Sequence, residues 1–466
     1  MRPELTLIVT IALLFLFDLF APERLRRYFH PLACVLLTVQ ILVNIVPTPD
    51  SGQLFGGMYQ YEPMQSIVKS MLAIGTLIVF LQSNEWLRRE DTAHKRGEFY
   101  LLTLSTLLGM YFMISVGNFL MFFLGMELAS IPMACLIAFD KYRHNSAEAG
   151  AKYILCALFS SGLMLYGISF IYGTAGTLYF DDIRLDGSPL QIMALVFFFS
   201  GLGFKLSLVP FHLWTADAYQ GAPTTVTSYL SVISKGSAAF VLMNHSNQGF
   251  RTDGAGVAND FVRSHHPEYH GGKPLRHPPA EPQTLPGLLI HLAGGLHHAG
   301  RDRRFGPGHD FAGLLHPGLY GSQPVDFRHR FGRRTTYGRE SLHRGLQRFL
   351  PHQPQAGRAD DPLALLAGRH SALRRLFLEV LHLRGRFHQE GFHLLVFIAL
   401  LNTVISLYYY LLVVKAMFIT PGEHPVPTFR SDRGTRLSLA LCTAGVLLLG
   451  IASVVYDSIG AFAFGM

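Results

Sequence analysis

Charge is scarce in this chain: only 15% of its 466 residues are Asp, Glu, Lys or Arg, with two Trp and four Cys. An ordinary soluble domain carries about 25% charged residues, so a soluble globular class is excluded. The cysteines, Cys34, Cys135, Cys156 and Cys442, stand singly inside apolar runs without CxxC spacing. That pattern excludes a disulfide framework or thiolate metal site and leaves small buried hydrophobes. The apolar runs contain no GxGxxG loop, P-loop or zinc-ligand spacing, so no cofactor and no metal is expected there.

What fills the chain is apolar: half the residues are hydrophobic and 36 are Phe. Crossing roughly 30 Å of hydrocarbon takes about 20 apolar residues, and ten windows qualify. They are Leu5–Phe20, Pro31–Val46, Met64–Leu81, Phe99–Ser115, Asn118–Phe139, Gly150–Tyr172, Pro189–Trp214, Thr225–Met243, His393–Ile419 and Leu437–Phe464. The expected fold class is an all-α polytopic membrane protein, surrounded by membrane lipid. The first window lacks a small-residue cleavage site and is read as a retained helix.

Basic residues cluster in alternate loops: Arg24, Arg26 and Arg27, then Arg88, Arg89, Lys95 and Arg96, then Lys141 and Arg143. The opposite loops hold Asp50, Glu62, Asp181, Asp182 and Asp186. By the positive-inside rule the basic loops are cytoplasmic, which places the N-terminus outside.

Ionisable residues within spans are costly and mark ion or substrate paths by default. Glu127 lies mid-window in FLGMELASIPM, Lys205 in GLGFKLSLVPFHLW and Lys235 in SYLSVISKGSAAF. All three are too central for snorkelling, and they are read as proton-carrying groups. Lys152, in EAGAKYILCALFSS, is nearer a helix end, so snorkelling or a static ion pair competes with an assisting role. Pro210 and Pro223 break the helix beyond Lys205 and free backbone groups for water. His212, beside the first break, is either a proton relay or a polar group at a helix end. Asp18 and Lys415 read as anchors near span ends, and the run Tyr408, Tyr409 and Tyr410 reads as packing or as part of an interfacial belt rather than a quinone site.

From Phe204 to Lys235 the sequence FKLSLVPFHLWTADAYQGAPTTVTSYLSVISK resembles the antiporter-like, proton-pumping membrane subunits of respiratory complex I. Within them it is most similar to subunit N of bacterial NADH:quinone oxidoreductase. MELASIPMACLIAF, EAGAKYILCALFSSG and LNTVISLYYYLLVVKAMF extend the likeness. The resemblance implies a fourteen-helix bundle of two inverted repeats with broken helices, in a bacterial inner membrane. It implies that Glu127 and Lys205 pair in a first half-channel and that Lys235 is the central relay, assisted by Lys152. The implied partners are the other membrane and peripheral subunits of complex I, which carry NADH, FMN, iron-sulfur clusters and quinone; no nucleic acid is implied. A subunit of a cation/proton antiporter of the same fold is the alternative.

One segment departs from all this. Residues 244–388 hold 16 of the 22 histidines. From His245 to Glu390 there are 19 Arg and one Lys against 12 Asp and Glu, which accounts for the whole net charge of +8. A metal- or nucleic-acid-binding domain would need regular ligand spacing, and none is present. Read one base later, the codons between Gln283 and Ala299 permit KRFLAFSSISQAGFIM, and those from Ala367 to His382 permit LAGIPPFAGFFSKFF. Both resemble the complex I subunit, and the second restores the GIPP motif that this chain lacks. The expected organisation is therefore 1–95, three helices; 96–243, the first repeat and the start of the second; 244–388, an out-of-frame segment with disordered coil; and 389–466, two helices. A further alternative is that the chain as written is itself the product, a non-functional one that inserts without pumping.

Overall fold

The computed structural model describes residues 1–45, 51–183, 188–208, 211–248 and 433–451. Those of the unit Met1–Asp260 form a helical bundle. In order come α1 (Arg2–Phe20), α2 (Glu23–Arg26), α3 (Phe29–Asn44), a hairpin of β1 (Gly52–Leu54) and β2 (Tyr59–Tyr61), and α4 (Pro63–Ser83). Then follow α5 (Arg96–Ile114), α6 (Phe119–Ile137), α7 (His144–Ala175), α8 (Pro189–Leu206), α9 (Trp214–Gly221), α10 (Thr224–Tyr229) and α11 (Lys235–Gln248). In the unit Phe261–Met466 the described element is α12 (Arg433–Ile451).

The starts of the helices follow from local chemistry. Asn118 accepts the amide of Leu120 at 2.8 Å ahead of α6, and Ser188 precedes Pro189 at the first position of α8. Each satisfies or removes a donor that a helix start leaves free. Gly176 ends α7 at φ +69°, a conformation costly for any residue with a Cβ. Six described helices, α1, α4, α5 with its lead-in turn, α6, α7 and α8, are long and apolar enough to cross a membrane. The 16-residue α3 is shorter.

Glycines set the closest approaches, as expected where packing rather than water exclusion joins membrane helices. A methyl group on Gly109 of α5 would stand 2.8 Å from both Gly125 O and Leu128 C of α6. On Gly167 of α7 it would stand 2.6 Å from Ala194 O and Phe198 N of α8. The outward faces remain apolar: Leu5, Val9, Phe15, Leu16 and Leu19 of α1 and Val35, Val39 and Leu42 of α3 are exposed. In a multi-pass membrane protein such faces meet lipid or partner subunits.

The expected windows and the helices differ at two places. The window Pro189–Trp214 is not one helix: α8 stops at Leu206 and α9 begins at Trp214. The window Thr225–Met243 is α10, a π turn over Leu230–Ser234, and α11, which runs on to Gln248. The span His393–Ile419, nearly all of the segment 244–388, the Tyr408–Tyr410 run, Lys415 and Pro210 lie outside the described residues.

Candidate functional site

The site begins where α8 ends. Ser207 takes φ +61°, and the amides of Ser207 and Leu208 return to Phe204 O (3.0 Å) and Gly203 O (2.7 Å). This left-handed closure ends the helix two residues after Lys205 and leaves its cation in the last turn, where the carbonyl ends favour positive charge. Lys205 is 2% exposed and donates from Nζ to Ser130 Oγ at 2.8 Å.

Ser130 sits on α6 one turn after Glu127, so both face the same neighbour. Glu127 is half-buried, and its charge acts on Lys205 and on the Tyr153 hydroxyl. Sequence reasoning anticipated a direct pair. The geometry brings Glu127 and Lys205 into one cluster with the Ser130 hydroxyl holding the ammonium, and among the described residues no ion pair within 4 Å joins them.

Aromatic rings connect this cluster to the next lysine. Tyr153 packs at 5.4 Å on Phe204 and at 5.0 Å, edge to face, on Trp214, the first residue of α9. Lys235 follows the π turn, is 5% exposed, and holds its Nζ 5.2 Å from the ring centroid of Tyr219 and 5.8 Å from that of Trp214. Ring faces attract a desolvated ammonium, and single π turns recur at functional sites. Lys205 and Lys235 therefore flank one aromatic wall, Phe204–Tyr153–Trp214–Tyr219.

His212 occupies the turn between α8 and α9, half-buried, with its carbonyl accepting the Thr215 amide at 3.0 Å. Lys152 stands apart from the buried cluster. Its side chain is 44% exposed and pairs at 2.7 Å with both Glu148, one turn earlier, and Asp217 of α9. The broken helix is thereby tied to α7 through a charge pair.

Several contributors escaped the sequence reading. Ser130, Asp217, Trp214 and Tyr219 are ordinary in type, and only the fold places them against the lysines. Glu4 and Lys69, both fully buried and paired with each other, had a signal: each is a charge in or beside an apolar window. The sequence reading singled out neither of them. Among the described residues no group of three or more His, Cys, Asp or Glu could hold a metal, and Cys34, Cys135, Cys156 and Cys442 are free.

The family described as "NADH:quinone oxidoreductase/Mrp antiporter, TM" matches residues 115–250, which hold Glu127, Ser130, Lys152, Lys205, His212 and Lys235. NADH-quinone oxidoreductase subunit N of Phocaeicola vulgatus is 48% identical over 98% of this chain and 97% of its own length. Subunit N of Azobacteroides pseudotrichonymphae is 38% identical over 99% and 97%. Among solved structures, a chain of respiratory complex I from Thermus thermophilus with bound Aureothin superposes with TM-score 0.75 at 22% identity, covering 96% of this chain and 98% of that one. A chain of the Mrp complex from Dietzia sp. does so with TM-score 0.77 at 17% identity, covering 99% and 96%. The two structural likenesses carry the antiporter-like fold, and identity along nearly the whole length carries the rest: this chain belongs to the NADH-quinone oxidoreductase subunit N family.

Proposed function

We propose that the chain moves protons across the membrane as a subunit of NADH:quinone oxidoreductase, while the partner subunits carry the flavin, the iron-sulfur clusters and the quinone. The observation that carries this reading is the pair of buried lysines at helix irregularities, Lys205 at the end of α8 and Lys235 after the π turn. A membrane protein holds such charges away from lipid at a cost, and their use in ion transfer accounts for it. Lys205, held by Ser130 with Glu127 one turn away, can take or give a proton as that carboxylate changes state. Lys235 lies across the aromatic wall as the receiving group, and His212 at the break is the candidate relay to water. Lys152, with Glu148 and Asp217, forms an exposed charged entry at one end of the bundle. No redox group is assigned to this chain.

The experiment is NADH-driven proton uptake by vesicles carrying the complex. Lys235→Ala is expected to abolish the contribution of this subunit to protons moved per electron, and uptake at the normal ratio would remove Lys235 from the path.

The anomalous segment is also part of this reading. We infer that residues 244–388 are read out of frame between two compensating shifts, so that proton movement across the whole membrane belongs to the chain in its restored frame, and the chain as written keeps the half of the path that holds Lys205 and Lys235. In support, composition changes abruptly at both edges, and the family match ends at residue 250. Resequencing of the gene tests it: an uninterrupted frame encoding the residues as written overturns the inference.

A further inference from the structure

Glu4 and Lys69 are the other charges that the bundle buries completely, at 0% and 1% exposure, and nothing in the path from Lys205 to Lys235 uses them. Lys69 Nζ pairs with Glu4 Oε1 and donates to Ser115 Oγ. The Tyr59 hydroxyl donates to Glu4 Oε2 at 2.9 Å, and Ser115 Oγ donates to Gln65 Oε1 at 2.8 Å. The Tyr111 hydroxyl donates to the Lys69 carbonyl at 2.9 Å. Five separate elements, α1, β2, α4, α5 and the turn after α5, thus converge on one acid–base pair.

Stability alone is a poor account of such a pair, because desolvation of two charges offsets most of their attraction, and apolar replacements of equal volume commonly do as well. Placement gives a better one. The pair lies at the end of the bundle where α1 and α4 begin and α5 ends, under the hairpin, whose Gln60 amide bonds Ser115 O at 2.9 Å. Lys152 lies at the other end: α6 runs from Asn118, bridged to Tyr179, to Ile137, whose carbonyl accepts the Ser146 hydroxyl at the start of α7. Lys205, held by Ser130 partway along α6, falls between. A contact also leads from the pair to Lys235. Gly75 of α4, about 9 Å along the helix from Lys69, packs against Ile233 of the π turn that precedes Lys235.

We propose that Glu4 and Lys69 form a further proton-exchange site of this chain, serving the end of the bundle where the chain begins. The inference rests on the reading of the chain as a proton conductor. Uptake of one proton converts the Glu4 carboxylate to the acid and leaves Lys69 as the ammonium, taking the pair from neutral to +1. Release of that proton to water at this end restores the neutral pair, so no other reactant is needed. The titratable and charged groups facing it are the Met1 amine, Arg2, Tyr59, Tyr61 and Tyr111.

The test uses the assembled complex in vesicles and reads protons moved per electron, with subunit content as a second measure. Glu4→Gln alone is expected to lose assembled protein, since it leaves Lys69 buried without its counter-charge. The double variant Glu4→Gln/Lys69→Met is expected to regain content and electron transfer while moving fewer protons per electron than the parent. A double variant with full content and the parental ratio would show the pair to be structural and overturn the proposal. If the double variant does not assemble, Glu4→Asp decides: a shifted pH profile of uptake supports the site, and an unchanged profile overturns it. Lys235→Ala in parallel separates the two readings: loss there without loss in the double variant sinks this inference alone, and loss in neither sinks the proton path itself.

Discussion

Gly109→Ala tests whether helix packing sets the geometry of the proton site. The added methyl would stand 2.8 Å from Gly125 O and Leu128 C, and nearer still to Ala129 N, against an ordinary contact limit of 3.4 Å. All three are backbone atoms of α6, which no side-chain rotation can move. Relieving the nearest of them takes a separation of about 1 Å, and overpacking of this kind costs ~1–3 kcal/mol. Ala129 is the residue before Ser130, whose 2.8 Å bond to Lys205 sits near the short end of a range only about 0.5 Å wide, so a separation of that size would carry it past the long end. The variant should lose stability and also move fewer protons per electron at unchanged subunit content. The same substitution at Gly162, where a methyl meets nothing within 4 Å, is the control. There the change is expected to be neutral or to stabilise by ~0.4–1 kcal/mol. Thermal unfolding in detergent and proton uptake in vesicles measure both effects, and matching behaviour of the two variants would refute the reasoning.

Trp214 packs at 5.0 Å on both Tyr153 and Phe204 and lies beneath Lys235. Trp214→Ala should destabilise the bundle by ~3–5 kcal/mol, measured by the same unfolding; a loss under about 1 kcal/mol would show that the wall carries little. Tyr59, outside the spanning helices, has its hydroxyl pushed well above the ordinary tyrosine range by burial and then by the Glu4 charge. The folded chain thus keeps a proton that the unfolded chain releases above about pH 10. Stability from this group is full below that pH and falls as pH rises beyond it, by up to about 1.4 kcal/mol per pH unit. Tyr59→Phe should flatten the alkaline fall in unfolding free energy, and an unaltered slope would contradict the assignment.

The helices themselves were legible because membrane spans announce themselves by length and composition. The windows Leu5–Phe20, Met64–Leu81, Phe99–Ser115 and Asn118–Phe139 agree with α1, α4, α5 and α6 to within a few residues at each end. Charge in an apolar run likewise marked Glu127, Lys205 and Lys235. What hydropathy could not convey was where a helix stops inside such a run. Ser207 ends α8 by adopting φ +61°, and nothing in its residue type announces that. Contacts between distant positions were equally hidden: Ser130 and Lys205 are 75 residues apart, and Glu4 and Lys69 are 65 apart. A one-dimensional pattern shows that a charge needs a partner without naming it. Lys152 illustrates the converse, since its partners Glu148 and Asp217 leave it at the exposed end of the bundle and outside the buried cluster.

The π turn at Leu230–Ser234 makes the aim of Lys235 a matter of counting. An α-helix turns about 100° per residue, and a π turn holds one residue more than its α-helical equivalent. Deleting one residue within the turn would therefore act as a rotation more than a shortening, swinging Lys235 and everything after it about a quarter-turn around the axis. The ammonium would then face away from Tyr219 and Trp214 with its chemistry intact and its address lost.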